Sequence, residues 1–337
     1  MAMKFIRIIL FPLVPLYHVV TWLRNFFFDH GWLKSKAYNK PIICVGNLST
    51  GGTGKSPMIE YLIRLLKDNY RIATLSRGYK RQTEGFVLAD AEANANTIGD
   101  EPYQFHSKFP EILVAVDADR QNGIARLLNH AEQPEVILLD DAYQHRKVKS
   151  GLNILLTPYD KPYYRDFVLP TGNLREPRSG AKRADIIIVT KCPAHLGRQE
   201  KELMVSRLGP DSHQQVFFSH INYSGKVYSF KNELDILDLP KFSLVTGIAN
   251  PKPLKEFLVE KGLKFDHLEY PDHHEFNSRD IEALKKKDII VTTEKDYVRL
   301  KHIAQLKEKL YYLPITFELD RPLDFENRIK GFLAKKA

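Results

Sequence analysis

The stretch with the clearest chemistry is CVGNLSTGGTGKSPMIEYLIRLL, residues 44–66, in which a lysine and a serine follow a glycine-rich turn. An apolar strand pattern precedes the turn and an amphipathic helix pattern follows it, which is the context that a phosphate-binding loop requires. Glycines allow backbone conformations in which amide N–H groups converge on an anion, and the helix N-terminus adds partial positive charge. We therefore predict a nucleotide-binding loop made of Ser49, Thr50, Gly51, Gly52, Thr53, Gly54, Lys55 and Ser56.

Two side chains of this loop are expected to handle the phosphates and a metal ion. Lys55 would reach the β- and γ-phosphates of a nucleotide, and the Ser56 hydroxyl would be offered to Mg²⁺. Ser49 departs from the usual pattern, which has glycine at its first position. Because Gly51 and Gly52 follow closely and can preserve the turn, we interpret the loop as a variant of the pattern.

A phosphate loop needs a metal-holding acid at the end of a neighbouring strand. The segment EVILLDD, residues 135–141, supplies four apolar residues followed by Asp140 and Asp141, and it resembles a Walker B strand. One carboxylate would hold Mg²⁺ directly or through water, and the other would orient the nucleophile or a neighbouring amide. The sequence leaves open which of the two does which.

The elements that must position these residues follow from the apolar pattern. Short, β-branched, nearly continuous apolar runs alternate with helical patterns, as central parallel strands covered on both faces do. The runs lie at 41–46, 71–76, 111–116, 135–141, 151–157 and 184–190. This alternation predicts an α/β fold, a P-loop NTPase-like doubly wound, mostly parallel sheet.

A change of pattern suggests further divisions of the chain. Residues 215–232 alternate and contain a Ser-Gly turn, which predicts a β-hairpin or ribbon, and βα alternation restarts near residue 242. We expect a second, smaller α/β domain there. The predicted division is an N-terminal membrane-associating helix at 1–35, a P-loop core at 36–214, a β-ribbon linker at 215–241 and the smaller domain at 242–337.

The N-terminus and the overall charge both indicate an anionic or membrane partner. The apolar segment at 8–23 is short and contains Pro12 and Pro15, so a spanning helix is not expected. Its bulky aromatic residues near basic side chains suit a membrane interface, although a helix packed on the domain is the alternative. The net charge of +9 favours an anionic partner, and two distant cysteines fit a reducing cytosol.

Several motifs in order carry a more specific resemblance. They are VGNLSTGGTGKSP, SRGYKR, GDEP (99–102), DADR (117–120), LLDDAYQHRK (138–147), LPTGNLREP (169–177), RADIIIVTK (183–191), GIANP (247–251), YPDHHEF (270–276) and VTTEKDYVRL (291–300). Together they resemble the tetraacyldisaccharide 4′-kinase family. The resemblance implies transfer of the γ-phosphoryl group of ATP to the 4′-hydroxyl of a tetraacyldisaccharide 1-phosphate in lipid A biosynthesis. It also implies a peripheral enzyme at the cytoplasmic face of the inner membrane.

The same resemblance implies roles for four further residues. Asp100 in GDEP would be the catalytic acid–base, and His273 in PDHHEF would be its dyad partner, although the adjacent His274 remains open. Arg175 would neutralise phosphate charge, because a guanidinium fork suits phosphate oxygens. Glu176 would either orient Arg175 or contribute to the metal shell. We also expect His273 to reach Asp100 from the second domain only on closure of a hinge.

Two other classes of protein are weighed against a kinase. A P-loop GTPase would need a guanine-reading Asn-Lys-x-Asp motif, and VTKCP (189–193) lacks the aspartate. A non-catalytic membrane or nucleic-acid binding module would fit the basic charge. No basic motif interleaved with aromatic residues is present, so we expect no nucleic-acid partner.

Overall fold

The computed structural model describes residues 11–272 and 274–336, and within them two sheets form. The strands are β1 Ile42–Asn47, β2 Ile72–Ser76, β3 Val87–Leu88, β4 Leu113–Val116, β5 Val136–Asp140, β6 Leu152–Pro158, β7 Ile186–Thr190, β8 Gln215–Tyr223, β9 Lys226–Tyr228, β10 Glu233–Asp235, β11 Phe242–Thr246, β12 Phe265–Glu269, β13 Ile290–Thr293, β14 Leu310–Leu313 and β15 Ile315–Leu319.

Helices cover both sheets. They are α1 Val14–Asp29, α2 Lys55–Leu66, α3 Ala95–Ile98, α4 Asp100–Lys108, α5 Arg120–Leu128, α6 Arg198–Leu208, α7 Lys252–Glu260, α8 Ser278–Lys285, α9 Glu294–Leu300 and α10 Pro322–Ala334.

The nine-stranded sheet has the order β15-β8-β7-β6-β1-β5-β2-β4-β3. Its central strands pair in parallel, and only the edge strands β3 and β15 pair antiparallel. All six residues of β1 are buried, which is why these strands read as continuous apolar runs. Because β1 lies between β5 and β6, the strand order reverses beside it, and a crevice is expected at its carboxyl end. The predicted doubly wound sheet is confirmed.

The six-stranded sheet has the order β10-β9-β14-β13-β11-β12. Strands β11 to β14 pair in parallel, and a second core packs around Leu244, Leu254 and Val291. We call this sheet with α7, α8 and α9 the small unit, and the nine-stranded sheet with its helices the large unit. The predicted smaller α/β unit is thus present.

The segment at residues 215–232, predicted as a β-hairpin or ribbon, is divided between the two sheets. Strand β8 pairs with β7 and β15 in the large sheet, whereas β9 pairs with β10 and β14 in the small sheet. The Ser224-Gly225 turn therefore carries the chain from one sheet to the other. The antiparallel hairpin lies one turn later, between β9 and β10.

The chain also returns to the large unit at its end, whereas the sequence placed all of 242–337 in the smaller domain. Strand β15 joins the edge of the large sheet, and Phe325, Ile329 and Leu333 of α10 are buried in the large core. Nothing in the local sequence of α10 tells which of the two sheets its apolar face covers.

Helix α1 lies on the large unit with an apolar stripe facing away from it. The residues of the stripe are exposed and recur at helical spacing: Leu16, Val19, Val20 and Leu23. The opposite face is tied down, because the Tyr17 hydroxyl donates to the Arg175 carbonyl at 2.9 Å. Within the described residues, no helix combines the length and apolar character needed to cross a bilayer. Residues 1–10, with which the predicted N-terminal segment begins, lie outside the described residues.

Candidate active site

The glycine-rich loop connects β1 to α2, at the carboxyl end of the central strand. Gly51 and Gly54 adopt positive φ angles of 101° and 91°, which favour glycine over residues with a side chain. Ser49 needs no such freedom, because its φ is not positive and it forms an isolated bridge with Leu174. The departure from the usual glycine at position 49 is therefore compatible with the loop.

Neighbouring segments hold this loop in place. The Thr50 N–H donates to the Asn173 carbonyl at 2.8 Å, and the Thr190 hydroxyl at the end of β7 donates to the Thr53 carbonyl at 2.8 Å. The Lys191 ammonium donates to the Gly52 carbonyl at 2.6 Å. Binding of an anion by this loop would therefore require little ordering of its backbone.

Two cations converge on Asp141, directly after β5. Its Oδ1 lies 3.8 Å from Lys55 Nζ and 2.9 Å from Arg175 Nη1. Asp141 has a φ of 48°, so the chain turns sharply after Asp140 and the two carboxylates point differently. The structure thus brings together Lys55, Asp141 and Arg175, three residues that the sequence placed in the site.

Asp140 is buried and only partly satisfied. The Ser76 hydroxyl lies 3.3 Å from its Oδ2, whereas Oδ1 has no hydrogen-bond partner. Burial, followed by the charges of Glu101 and Asp141, raises the pKa of Asp140 to about 7 against the opposing effect of Lys55 and Arg120. A buried carboxylate oxygen without a partner is costly, and a cation at this place would remove that cost. The residues present therefore fit a divalent metal ion.

Ser56 and Glu101 form the other side of this candidate metal site. The Ser56 hydroxyl donates to Glu101 Oε1 at 2.7 Å, and Lys295 Nζ lies 2.8 Å from the same oxygen. Burial raises the pKa of Glu101, but the charges of Lys295 and Lys55 and two hydrogen bonds lower it to about 2. Glu101 is therefore ionised, and it was not predicted from the sequence, although it stands beside Asp100 in GDEP.

Asp100 begins α4 and forms an ion pair with Arg299 of α9. The preceding Gly99 has a φ of 93°, which lets α4 start in a new direction there. His273, the predicted partner of Asp100, lies outside the described residues. The alternative, His274, is engaged within the small unit, because its Nε2 lies 2.8 Å from Asp280 Oδ2 and its ring stacks on Tyr270.

Glu176, which the sequence assigned to orienting Arg175 or to the metal shell, is held by three hydrogen bonds beside the site. Its carboxylate accepts hydrogen bonds from Asn25 at 2.6 Å, Gln144 at 3.0 Å and Arg183 at 2.8 Å. These three donors satisfy the buried carboxylate and attach α1 to the end of β5. Glu176 therefore acts as a structural anchor beside the site, and among the described residues no group of three or more His, Cys, Asp or Glu could hold a metal ion by itself. A magnesium ion bound with a nucleotide needs only one or two protein carboxylates.

A basic cavity of about 510 Å³ adjoins this edge of the sheet, below α1. Its cationic and apolar lining includes Arg24, Phe28, Leu33, Arg120, His145, Arg146 and Lys147. Arg120 links it to the site, because its guanidinium lies 3.4 Å from the Asp140 carbonyl. Burial, with the charges of Arg120, Arg77 and Arg24, lowers the pKa of His145 to about 4, so its ring is neutral at pH 7.

Comparison with known proteins gives one consistent result. A family model described as LpxK, tetraacyldisaccharide-1-P 4′-kinase, matches residues 6–334. The chain is 54% identical over 318 residues to the tetraacyldisaccharide 4′-kinase of Flavobacterium johnsoniae, covering 93% of each chain. It is 46% identical to the enzyme of that name from Bacteroides thetaiotaomicron, covering 96% of this chain and 92% of the relative. A crystal structure of LpxK from Aquifex aeolicus in complex with ATP matches with a TM-score of 0.80 at 30% identity, over 97% of this chain and 99% of that one.

The burial of Asp140 predicts an unusual dependence of stability on pH in metal-free, nucleotide-free protein. Because its folded-state pKa is raised, the folded protein keeps a proton that the unfolded chain releases between about pH 4 and pH 7, so stability falls as pH rises through that window. We expect Asp140→Asn to raise the free energy of unfolding by about 1–2 kcal/mol at pH 8. The gain should shrink between pH 7 and pH 4 in urea titrations. Asp141→Asn, which removes a partner of Lys55 and Arg175, should give no gain, and a stability profile of Asp140→Asn parallel to wild type would contradict the account.

Proposed function

The chain belongs to the tetraacyldisaccharide-1-P 4′-kinase family, and we propose that its site transfers the γ-phosphoryl group of ATP to the 4′-hydroxyl of a tetraacyldisaccharide 1-phosphate, a step of lipid A biosynthesis. The observation that carries the proposal is the pairing of Lys55 with Asp141, the residue after the buried Asp140, while Ser56 bonds Glu101 beside Asp100 on the neighbouring α4. A phosphate loop, a metal-binding acid and a candidate base are the parts that phosphoryl transfer needs.

ATP would lie on the loop at residues 49–56, with its phosphates against the N-terminus of α2 and the Lys55 ammonium. Ser56 and Asp140 would hold Mg²⁺, and Asp141 would hold Lys55 and Arg175 in position. When bound, Mg²⁺ would neutralise charge on the phosphate oxygens. Arg175, at 2.9 Å from Asp141, carries a guanidinium that suits the same oxygens.

Asp100 would take the proton of the acceptor hydroxyl. The 4′-oxygen forms a bond to the γ-phosphorus, the bond from that phosphorus to the β–γ bridging oxygen breaks, and ADP leaves. An aspartate alone is a weak base near neutral pH, so we propose that His273 assists it, as the family resemblance implies. His274 is less suited to that role, because it already pairs with Asp280.

The proposed acceptor is amphiphilic and anionic, and two features of the large unit suit the binding of such a molecule. The basic cavity beside Asp140 offers cationic side chains to a phosphorylated sugar, and the exposed stripe of α1 offers apolar surface to acyl chains or lipid. We propose peripheral attachment to the cytoplasmic face of the inner membrane through α1. No nucleic acid is part of this proposal.

Phosphoryl transfer from γ-labelled ATP to tetraacyldisaccharide 1-phosphate in detergent micelles with Mg²⁺ tests the proposed reaction. We expect the lipid to be labelled, and we expect kcat to fall at least 100-fold in Lys55→Ala and Asp100→Ala, because each removes a charge that acts on the transferred group or its nucleophile. Arg198→Ala provides the control, because that side chain is 91% exposed and lies on α6. Its kcat should stay within twofold of wild type.

Two results of this assay would overturn parts of the proposal. Hydrolysis of ATP without labelled lipid would contradict the proposed acceptor but not the proposed role of the phosphate loop. Lipid labelling that survives Asp100→Ala but not Lys55→Ala would remove Asp100 from its role as base.

Sedimentation with phosphatidylglycerol-containing vesicles tests the membrane proposal. The stripe on α1 is apolar and exposed, so placing charge on it would oppose burial in the lipid interface. We expect the Val19→Asp/Val20→Asp variant to lose vesicle binding at least tenfold. Leu237→Asp is the matched control, because Leu237 is an equally exposed apolar residue, 60% exposed, in the small unit. Equal binding of the α1 variant and wild type would contradict attachment through this helix.

A further inference from the structure

The motif VTTEKDYVRL at 291–300 has no part in the mechanism above, yet it carries α9 directly to the site. Helix α9 of the small unit lies against α4 of the large unit, and charged groups meet along the contact. Lys295 pairs with Glu101, Arg299 pairs with Asp100, and Glu294 pairs with Lys108. Each pair joins the small unit to the helix that carries the candidate base.

Among these cations, Lys295 shares a carboxylate oxygen with the phosphate loop. Its Nζ and the Ser56 hydroxyl donate to one and the same oxygen, Glu101 Oε1, at 2.8 and 2.7 Å. Burial lowers the pKa of Lys295, but the charge and hydrogen bond of Glu101, with the charge of Asp272, raise it overall. Lys295 therefore carries its full charge at neutral pH.

Two other lysines share this space. Burial lowers the pKa of Lys191, and the nearby charges of Lys295 and Lys55 act in the same direction. Lys191 bonds the loop itself, at the Gly52 carbonyl, and Lys55 follows the loop. Three ammonium groups that repel one another stand around a glycine-rich anion site, an arrangement that a polyanion would stabilise.

We propose that Lys295 is a further catalytic residue, supplied by the small unit, whose ammonium contacts the γ-phosphate of bound ATP and stabilises its charge during transfer. The inference rests on the proposed function above. In the nucleotide-free protein, Glu101 holds this ammonium beside Ser56. The lysine would reach the phosphate from the small unit, so that the phosphoryl group contacts cations of both units.

The contrasting interpretation makes Lys295 only an ion pair that joins the two units. The chain offers a matched comparison, because Lys301 reaches across the same contact to the Ser107 hydroxyl at 3.0 Å but lies away from the loop. Loss of Lys301 would weaken the contact between units without removing a charge from the phosphate site.

The affinities of full-length protein for Mg·ATP and Mg·ADP, measured by isothermal titration calorimetry without lipid, separate these interpretations. We expect Lys295→Met to lower the affinity for Mg·ATP about 10- to 100-fold and that for Mg·ADP less than threefold, because only ATP carries the γ-phosphate. Lys301→Met should leave both affinities within threefold of wild type. Lys295→Arg, which keeps the charge, should recover part of the loss for ATP.

A second variant distinguishes a direct contact from an indirect effect of Glu101, whose charge Lys295 offsets, on the affinity for Mg·ATP. In Lys295→Met/Glu101→Gln that charge is removed as well. An indirect effect on the affinity for Mg·ATP would then disappear, whereas an affinity loss caused by the missing phosphate contact would remain. Preserved ATP selectivity in Lys295→Met, or its recovery in the double variant, would overturn the inference. Wild-type protein that binds ATP selectively but labels no lipid would overturn the proposed acceptor and leave this inference standing.

Discussion

The crowding of carboxylates at the carboxyl edge of the large sheet is the constraint on which the rest of the site depends. Burial raises the pKa of Asp140, and the nearby charges of Glu101 and Asp141 raise it further. Such a group of carboxylates is unfavourable unless cations lie among its members. Lys55 follows the glycine-rich loop and Lys295 belongs to the other unit, so the charge balance requires both units.

At the contact between α4 and α9, away from the loop, a cation again lies between carboxylates. Lys108 Nζ lies 2.7 Å from Glu60 Oε2 and also pairs with Glu294, so one ammonium serves two carboxylates. Burial, and then the charge of Glu60, raises the pKa of Glu294. Glu60 lies on α2, directly behind the phosphate loop. A movement of the small unit would therefore act on α2 at Glu60, and through Glu101 at Ser56 in its first turn, so the hinge closure predicted from the sequence would have a physical route to the nucleotide.

The sequence predicted the parts of the site that depend on local pattern. The loop from Ser49 to Ser56 and the acids at the end of β5 could be predicted because each follows an apolar strand pattern within a short span of sequence. Glu101 and Lys295 were not found, because their meeting depends on packing between units that are distant in the chain. The contact of Glu176 with Asn25 was missed for the same reason, since the two residues lie 151 positions apart in the chain. The return of β15 and α10 to the large sheet likewise has no local signal.

The central claim is that the unpartnered oxygen of Asp140 is kept for a metal ion that binds with the nucleotide. Counting free Mn²⁺ by electron paramagnetic resonance, as protein is titrated into Mn²⁺ and ATP, tests it most directly. The account predicts that Asp140→Asn weakens binding of the Mn·ATP complex at least 30-fold, while Glu176→Gln, which keeps the size of the anchoring side chain, stays within threefold of wild type. Unchanged binding in Asp140→Asn, or a comparable loss in Glu176→Gln, would contradict it.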